Sequence, residues 1–476
     1  MEPAVLFAGQ SLDGDAVAAL TGIGRDSRRV QAGQAYVAMG HTAERPDHAD
    51  EARQHGASVV IAEGTLAGGA SLTTSHARWT HARASVAVHG LDRRCPPLAG
   101  VTGTKGKSTT THFAWWAMGL GAARVGTIAW HDGLSERACA QTTPPPEELH
   151  EFLHGLDPAC PGVALEISSH GCDQQRLAGL GLAALAYSGL GRDHLDYHKT
   201  MAHYLAAKLR AVRWVLPGGT VIVNADDAHA AAFAHAGRAA GACVIALGQD
   251  ARGLQAHAHA RPQRLGQHWR LHLDGAAHDL PTPLTGAFNA WNAAAAALLA
   301  MSCGVPLETA LARLAACPPV PGRLERLAES PVTYVDYAHT PESITAVLAA
   351  LREAHPGRRL VIAFGCGGDR DPGKRAPMGS AAGAADAIVV TSDNSRSEDP
   401  AAIAAQVLAG IPASAMREVV LERGSAIRRA RELAGIEGVV VIAGKGHETT
   451  QTAAGVVATW DDRAAVRALA QGGDHG

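Results

Sequence analysis

Between Gly100 and Ser108 the chain reads Gly100-Val-Thr-Gly-Thr-Lys-Gly-Lys-Ser108, directly after the apolar stretch Leu98–Val101 and before a helix-compatible segment. A glycine-rich turn between a strand and a helix lets backbone N–H groups approach a phosphate, and the helix N-terminus adds partial positive charge. Gly103, Thr104, Gly106, Lys107, Ser108 and Thr109 are the expected nucleotide contacts. Lys107 would neutralise the terminal phosphates and the Ser108 hydroxyl would face Mg²⁺. Val101 stands where the longer G-x-x-x-x-G-K-S/T loop has its first glycine.

Two further segments carry groups that suit a hard cation. Leu165-Glu166-Ile-Ser-Ser-His-Gly171 follows an apolar run, so Glu166 falls at a strand end where a carboxylate can hold Mg²⁺ through oxygen. Gly191-Arg-Asp-His194-Leu-Asp-Tyr-His198 places four acidic or imidazole groups within six residues after another apolar run. Lys208, in Tyr204-Leu-Ala-Ala-Lys208, reads from its own surroundings as a helix-surface lysine. Asp336 closes the run Val332–Asp336, and a carboxylate at the end of a first Rossmann-like strand is a common acceptor for ribose hydroxyls.

These groups need a scaffold, and the hydropathy pattern supplies one. Apolar runs alternate with longer helix-like segments, the pattern of parallel sheets with crossover helices. Strands are expected at Gln34–Met39, Ala57–Ala62, Leu98–Val101, Gly162–Ile167, Leu182–Tyr187, Thr220–Asn224, Val332–Asp336, Leu360–Phe364, Ala387–Thr391 and Val439–Ala443. From about Ala251 to Pro283 the residues alternate instead, as in Trp269-Arg-Leu-His-Leu273, which reads as an antiparallel addition. An alanine-rich helix, Ala287–Met301, follows. Pro318, Pro319, Pro321 and Gly322 punctuate a boundary. Three α/β domains are expected: a small amino-terminal one over 1–90, a central phosphate-loop domain with a mostly parallel sheet over 91–317, and a Rossmann-like carboxyl-terminal one over 318–476.

Composition excludes several classes. With 47% hydrophobic and 18% charged residues and a net charge of −3, the chain carries no basic field for nucleic acid or acidic lipid. No run of about 18 apolar residues suggests a membrane span. Residues 1–19 hold Glu2, Asp13 and Asp15 and no basic n-region, so a signal peptide is not expected. The eight cysteines are scattered without a C-x-x-C pair, which suits a reducing cytosol. A cytoplasmic monomer acting on small molecules is expected. Most of the 25 histidines lie in alanine-rich stretches such as Ala228–His235, which are read as solvated helix faces and not ligands.

The three chemical segments together resemble the Mur ligase family, whose patterns are T-G-T-N-G-K-S/T, E-V/I-S-S-H-G and D-H-L-D-Y-H. The resemblance runs from about Asp26 to Arg463. It implies ATP and Mg²⁺ as cofactors, with Ser108, Glu166 and His194 as Mg²⁺ ligands, and Lys208 as a carbamylated lysine giving oxygen to a second ion. Lys107, Glu166, His194 and Lys208 would be the catalytic set. Gly286-Ala-Phe-Asn289-Ala-Trp-Asn292 resembles the family's adenine segment, and Arg323 and Asp336 would reach the ATP phosphates and ribose. Ser27 and His41 would lie in a uridine-nucleotide pocket. Thr142, Thr143, Ser168, Gln174 and Arg176 would hold a muramoyl dipeptide, Arg176 by its planar fork.

In the last domain, Gly365-Cys-Gly-Gly-Asp-Arg370, Asp393-Asn394-Ser-Arg396 and Gly444-Lys-Gly-His-Glu448 resemble the segments that take the incoming amino acid. Family members using meso-diaminopimelate read D-N-P-R; their arginine grips the distal carboxylate, and lysine-adding members lack it. Arg396 would repel a lysine ammonium, and Glu448 would bind the distal ammonium of diaminopimelate. The implied reaction joins meso-diaminopimelate to UDP-N-acetylmuramoyl-L-alanyl-D-glutamate through an acyl phosphate in peptidoglycan synthesis, with hinge motion between the second and third domains. Four positions depart from the family pattern: Lys105, Gln141, Gly189 and Ser395. They leave open a paralogue that joins a different acid and amine outside that pathway.

Overall fold

The computed structural model describes residues 20–39, 46–63, 72–139, 141–266 and 268–471. The chain forms two compact units. The first runs to Pro281 and takes up Trp291–Ala315; the second comprises Thr282–Ala290 and the chain from Ala316.

The first unit holds two sheets. Strands β1 (Gly22–Gly24), β2 (Gln34–Val37), β3 (Val59–Glu63) and β4 (Leu72–Thr74) pair in that order, all parallel. The expected strand Gln34–Met39 is two residues shorter. Between β2 and β3 lies helix Pro46–Gln54, and after β4 comes helix Ala77–Val88.

The second sheet has eleven strands: β5 (Leu98–Thr102), β6 (Ala123–Val125), β7 (Trp130–His131), β8 (Glu136–Arg137), β9 (Val163–Glu166), β10 (Leu182–Tyr187), β11 (Val215–Asn224), β12 (Cys243–Leu247), β13 (Ala258–Leu265), β14 (His268–Leu273) and β15 (Ala276–Leu280). The order across it is β15-β14-β13-β12-β11-β10-β5-β9-β6-β7-β8. From β6 to β13 the pairings are parallel. The change to alternating residues marks where β13, β14 and β15 turn antiparallel. Every residue of β5 is buried, as a strand covered by helices on both faces must be. Strand β11 begins five residues before its expected start, because Val215 already pairs with Leu182 ahead of a register shift.

The second unit holds β16 (Glu325–Glu329), β17 (Val332–Asp336), β18 (Leu360–Phe364), β19 (Ala387–Val390), β20 (Arg417–Val419) and β21 (Val439–Ala443), in the order β16-β17-β21-β18-β19-β20. Only the β16–β17 pairing is antiparallel. Two apolar clusters cover its faces: Ile344, Leu348, Phe364 and Met378 belong to one, and Ile427, Ala430 and Val466 to the other. A hairpin of β22 (Thr450–Ala453) and β23 (Val456–Thr459) follows. The fold is mixed α/β with mostly parallel sheets. No helix among the described residues is long and apolar enough to cross a membrane.

Candidate active site

In the first unit the predicted groups gather beyond the carboxyl ends of β5, β9 and β10, where open parallel sheets place their ligands. The loop after β5 turns through Gly103, whose φ is +148° and whose missing Cβ would lie 2.0 Å from the Ser188 hydroxyl. Only glycine fits that approach. Gly106 then caps helix Lys107–Met118 in the left-handed region. Thr104 ties the loop to the segment after β10: its N–H donates to Gly189 O at 2.8 Å and its hydroxyl accepts from Gly191 N at 2.9 Å. The Ser188 hydroxyl also donates to the Lys105 carbonyl. Lys107 Nζ donates to the carbonyls of Gly103 and Thr104, both at 3.0 Å. Thr109 is buried in the first turn of the helix.

Glu166, at the end of β9, is 1% exposed. Its carboxylate accepts from Ser108 Oγ at 3.2 Å, from Thr127 N at 3.0 Å and from Thr127 Oγ1 at 3.1 Å. The Thr142 and Thr127 hydroxyls lie 2.8 Å apart. Thr143 Oγ1 donates to Glu166 O at 2.8 Å and accepts from Ser168 N at 2.9 Å, which locks the 142–143 segment to the strand end. Ser168 Oγ in turn caps helix Ser169–Asp173 by accepting from Gly171 N. The Arg176 guanidinium is aimed at amide oxygens: Gln141 Oε1 at 2.5 Å, Gln174 Oε1 at 2.7 Å and the Thr143 carbonyl.

His194 has φ +53° and starts helix Leu195–His198. Its ring lies 5.2 Å from that of His170. Desolvation, with Lys107 and Lys208 nearby, lowers its pKa to about 4 against the pull of Asp193, so the imidazole is neutral near pH 7. Lys208 corrects the reading of a surface lysine. It sits in helix Met201–Leu209 but is 1% exposed. Its amine donates to Gly103 O at 2.6 Å and lies 4.7 Å above the Tyr204 ring. Burial, then the charge of Lys107, pushes its pKa well below the ordinary lysine value. Among the described residues no cluster of three or more His, Cys, Asp and Glu is arranged to hold a metal ion.

Ser27 is buried, and its hydroxyl donates to Glu51 Oε2 at 2.6 Å. His41 lies outside the described residues. Arg25 Nε donates to Glu147 Oε1 at 2.9 Å, linking the Asp26–Arg28 segment to helix Pro146–His154, which follows the Gln141–Pro144 segment. Asn292 Oδ1 accepts from Thr110 Oγ1 at 3.0 Å. A cavity of about 920 Å³ lined by Asp250, Arg252, His259, Arg261, His272 and Asp274 contains none of the predicted residues.

In the second unit, Asn289 Nδ2 donates to Thr285 O at 2.7 Å. The Arg323 guanidinium lies 4.5 Å from the centre of the Tyr337 ring. Asp336 is 8% exposed and accepts from Leu324 N and Ala338 N, both at 2.7 Å. Burial raises its pKa despite Arg323. Arg370 is exposed in the loop after β18. Asp393, Asn394 and Arg396 follow β19, and Gly444 follows β21. Gly444 has φ +113°, and a Cβ there would meet Asp393 Oδ2 at 2.7 Å. Burial works against the charge of Asp393, but Arg423 and Lys445 outweigh it and hold its pKa below the usual carboxylate value. Asn394 Nδ2 donates to Glu448 Oε2 at 2.9 Å. Arg396 donates to the carbonyls of Gly368 at 2.6 Å and Asn394 at 3.3 Å.

Sequence reasoning missed Thr127, Tyr204, Lys445 and the Arg423–Asp462 pair. Thr127 follows a short strand and a glycine, a signal too brief to notice. Lys445 sits inside the Gly444–Glu448 segment, whose resemblance is carried by Gly444 and Glu448.

Comparisons with known proteins agree with this layout. Residues 101–300 match the Mur ligase middle domain, and 322–446 match the Mur ligase, glutamate ligase domain. The chain is similar to the UDP-N-acetylmuramoyl-L-alanyl-D-glutamate--2,6-diaminopimelate ligase of Rhizobium meliloti, 38% identical over 472 residues, 96% of this chain and 95% of the relative. The ligase of the same name from Caulobacter vibrioides is 38% identical, with 96% of each chain covered. A solved structure of a UDP-N-acetylmuramoyl-L-alanyl-D-glutamate--2,6-diaminopimelate ligase matches with a TM-score of 0.68 and 30% identity over 96% of each chain. The folylpolyglutamate synthase of Mycobacterium tuberculosis, solved with ADP and AMPPCP, shares the fold alone, at a TM-score of 0.62 and 19% identity over 82% of this chain and 95% of that one. The chain belongs to the Mur ligase family of ATP-dependent, amide-bond-forming ligases.

Proposed function

We propose that this enzyme adds meso-diaminopimelate to UDP-N-acetylmuramoyl-L-alanyl-D-glutamate in peptidoglycan synthesis, as a cytoplasmic monomer. The observation that carries the reading is the grouping of Asp393, Asn394 and Glu448 in one hydrogen-bonded cluster. Arg396 follows on the same segment and donates to the Asn394 carbonyl. An arginine and a carboxylate suit the distal carboxylate and ammonium of diaminopimelate. The eight relatives compared, named as diaminopimelate ligases at 36–38% identity, support it. They do not favour a paralogue outside the pathway.

The D-glutamyl carboxylate attacks the γ-phosphorus of ATP, the bond to ADP breaks, and an acyl phosphate forms. Lys107 leaves its two loop carbonyls to neutralise charge growing on the phosphoryl oxygens. The neutral α-amine of diaminopimelate then attacks the acyl carbon. The tetrahedral adduct collapses to the amide, expelling phosphate, and the amine proton is lost. Thr142, Thr143, Ser168, Gln174 and Arg176 orient the dipeptide acid, and Ser27 and His41 serve the uridine end. Asn289, Asn292, Arg323 and Asp336 serve the nucleotide, and Arg370 the incoming amino acid.

Ser108, Glu166 and His194 fit Mg²⁺: a buried carboxylate whose partners are neutral donors, a hydroxyl 3.2 Å away and a neutral imidazole. Bound there, Mg²⁺ would screen phosphate charge. Burial, which lowers the Lys208 pKa, favours the amine form whose lone pair can attack CO₂, forming an N–C bond with loss of one amine proton. The resulting carbamate would add an oxygen ligand to this set. His194 is a ligand in this account, and its low pKa makes it a weak base.

The test supplies purified enzyme with ATP, Mg²⁺, the UDP-muramoyl dipeptide and, separately, meso-diaminopimelate, L-lysine or L-ornithine. Phosphate release and a tripeptide mass with diaminopimelate alone are expected. Silence with all three amines, from folded protein that binds ATP, contradicts the reading.

A further inference from the structure

Lys445 is 0% exposed, among the most deeply buried cations in the second unit. It lies one residue past Gly444, on the turn after β21. Its ammonium donates to Asn394 Oδ1 at 3.2 Å and to Glu448 Oε2 at 3.3 Å, and stands 3.7 Å from Asp393 Oδ1. Thr452 N donates to the same Asn394 Oδ1 at 2.9 Å. These two donors fix the Asn394 amide with its oxygen toward Lys445 and its nitrogen toward Glu448 Oε2. Glu448 therefore has one oxygen, Oε2, engaged by Lys445 and Asn394. Its other oxygen, Oε1, is the one left to meet a ligand. The Glu448 side chain is 33% exposed, so that oxygen can be reached.

We propose that Lys445 is a positioning residue that sets the enzyme's selectivity for a zwitterionic amino-acid terminus over a simple ammonium. The inference rests on the reading that this unit receives diaminopimelate. Asp393 and Glu448 together carry two negative charges; Lys445 offsets one of them and Arg396, on the same segment as Asp393, offsets the other. A distal centre bearing both ammonium and carboxylate is neutral overall and fits that balance. Without Lys445 the cluster gains one net negative charge. That favours the lone distal ammonium of lysine and repels the distal carboxylate of diaminopimelate. The Asn394 amide also loses one of the two donors that fix its orientation.

Lys445→Met keeps the side-chain length and removes the charge. Lys445→Gln keeps a donor for Asn394 Oδ1 and also removes the charge. Each variant and the wild type is given diaminopimelate and L-lysine together in one tube, and the two tripeptide masses are compared. The product ratio does not depend on the fraction of folded enzyme, so simple destabilisation leaves it unchanged. The ratio of kcat/KM for diaminopimelate over lysine is expected to fall about tenfold or more in both variants, with the KM for ATP moved less than about twofold. An unchanged ratio in a variant that makes product, or no product from either variant, assigns Lys445 to the fold alone and overturns the proposal. A wild type that makes no diaminopimelate product contradicts the underlying reading instead, so the two failures are distinct.

Discussion

Replacing Arg423 by methionine should unfold the second unit early and show how its amino-acid segment is held. Arg423 and Asp462 have side chains only 1% and 0% exposed. Nε and Nη2 donate to the two carboxylate oxygens, both at 2.7 Å. The same guanidinium donates to Ser392 O at 2.9 Å, just before Asp393, and to Ala443 O at 3.1 Å, just before Gly444. Arg423→Met leaves the Asp462 carboxylate buried without this cation, with the Trp460 indole N–H still donating to it. Breaking a buried pair on one side costs about 3–5 kcal/mol. For a unit of this size that lowers Tm by roughly 10 °C. Scanning calorimetry of the full chain reads the shift. Arg423→Met/Asp462→Leu should recover more than half of the loss, because removing both charges together is often neutral. A loss under about 1 kcal/mol, or a double variant no more stable than the single one, refutes the assignment of this pair as the clamp.

Three other outcomes follow from the geometry. Gly444→Ala would put a methyl 2.7 Å from Asp393 Oδ2 at a φ of +113°, so the KM for the amino acid should rise about tenfold while that for ATP holds. His81 and His150 are buried between helices Ala77–Val88 and Pro146–His154. Burial lowers the His81 pKa to about 4, with Glu147 opposing and Arg25 assisting, and takes that of His150 well below 6.5, assisted by His89 and His81. The unfolded chain then binds more protons than the folded one below about pH 6.5, so stability is full above that pH and falls as pH drops toward 4. His81 contributes up to about 3 kcal/mol of that loss, and His81→Leu should flatten the urea-midpoint profile against pH. Lys208→Met should lose the carbamate signal that isotope-labelled bicarbonate gives in the wild type, and phosphate release should drop by roughly 100-fold.

Much of this was legible in the sequence because strands buried on both faces announce themselves. Leu182–Tyr187, Leu360–Phe364 and Val439–Ala443 have the bounds that their apolar runs suggest. The short strands β6, β7 and β8 were not legible, since two or three residues show no period. The motif residues stand beside strand ends, so the phosphate loop and Glu166 could be placed from pattern alone. Burial of Lys208 could not: a lysine in a short helix reads as exposed by its own chemistry, and only the approach of Gly103 and Tyr204 encloses it. Nor does the sequence mark His81 and His150, on helices Ala77–Val88 and Pro146–His154, as buried; both pack inward because two helices close over them.

The most direct test of the account is isotopic. With labelled oxygen in the D-glutamyl carboxylate of the UDP-muramoyl dipeptide, the enzyme, ATP, Mg²⁺ and meso-diaminopimelate should release phosphate carrying a single labelled oxygen, and the tripeptide amide should retain the other. Unlabelled phosphate would mean that water, not the acid, takes the phosphoryl group, and would contradict the account.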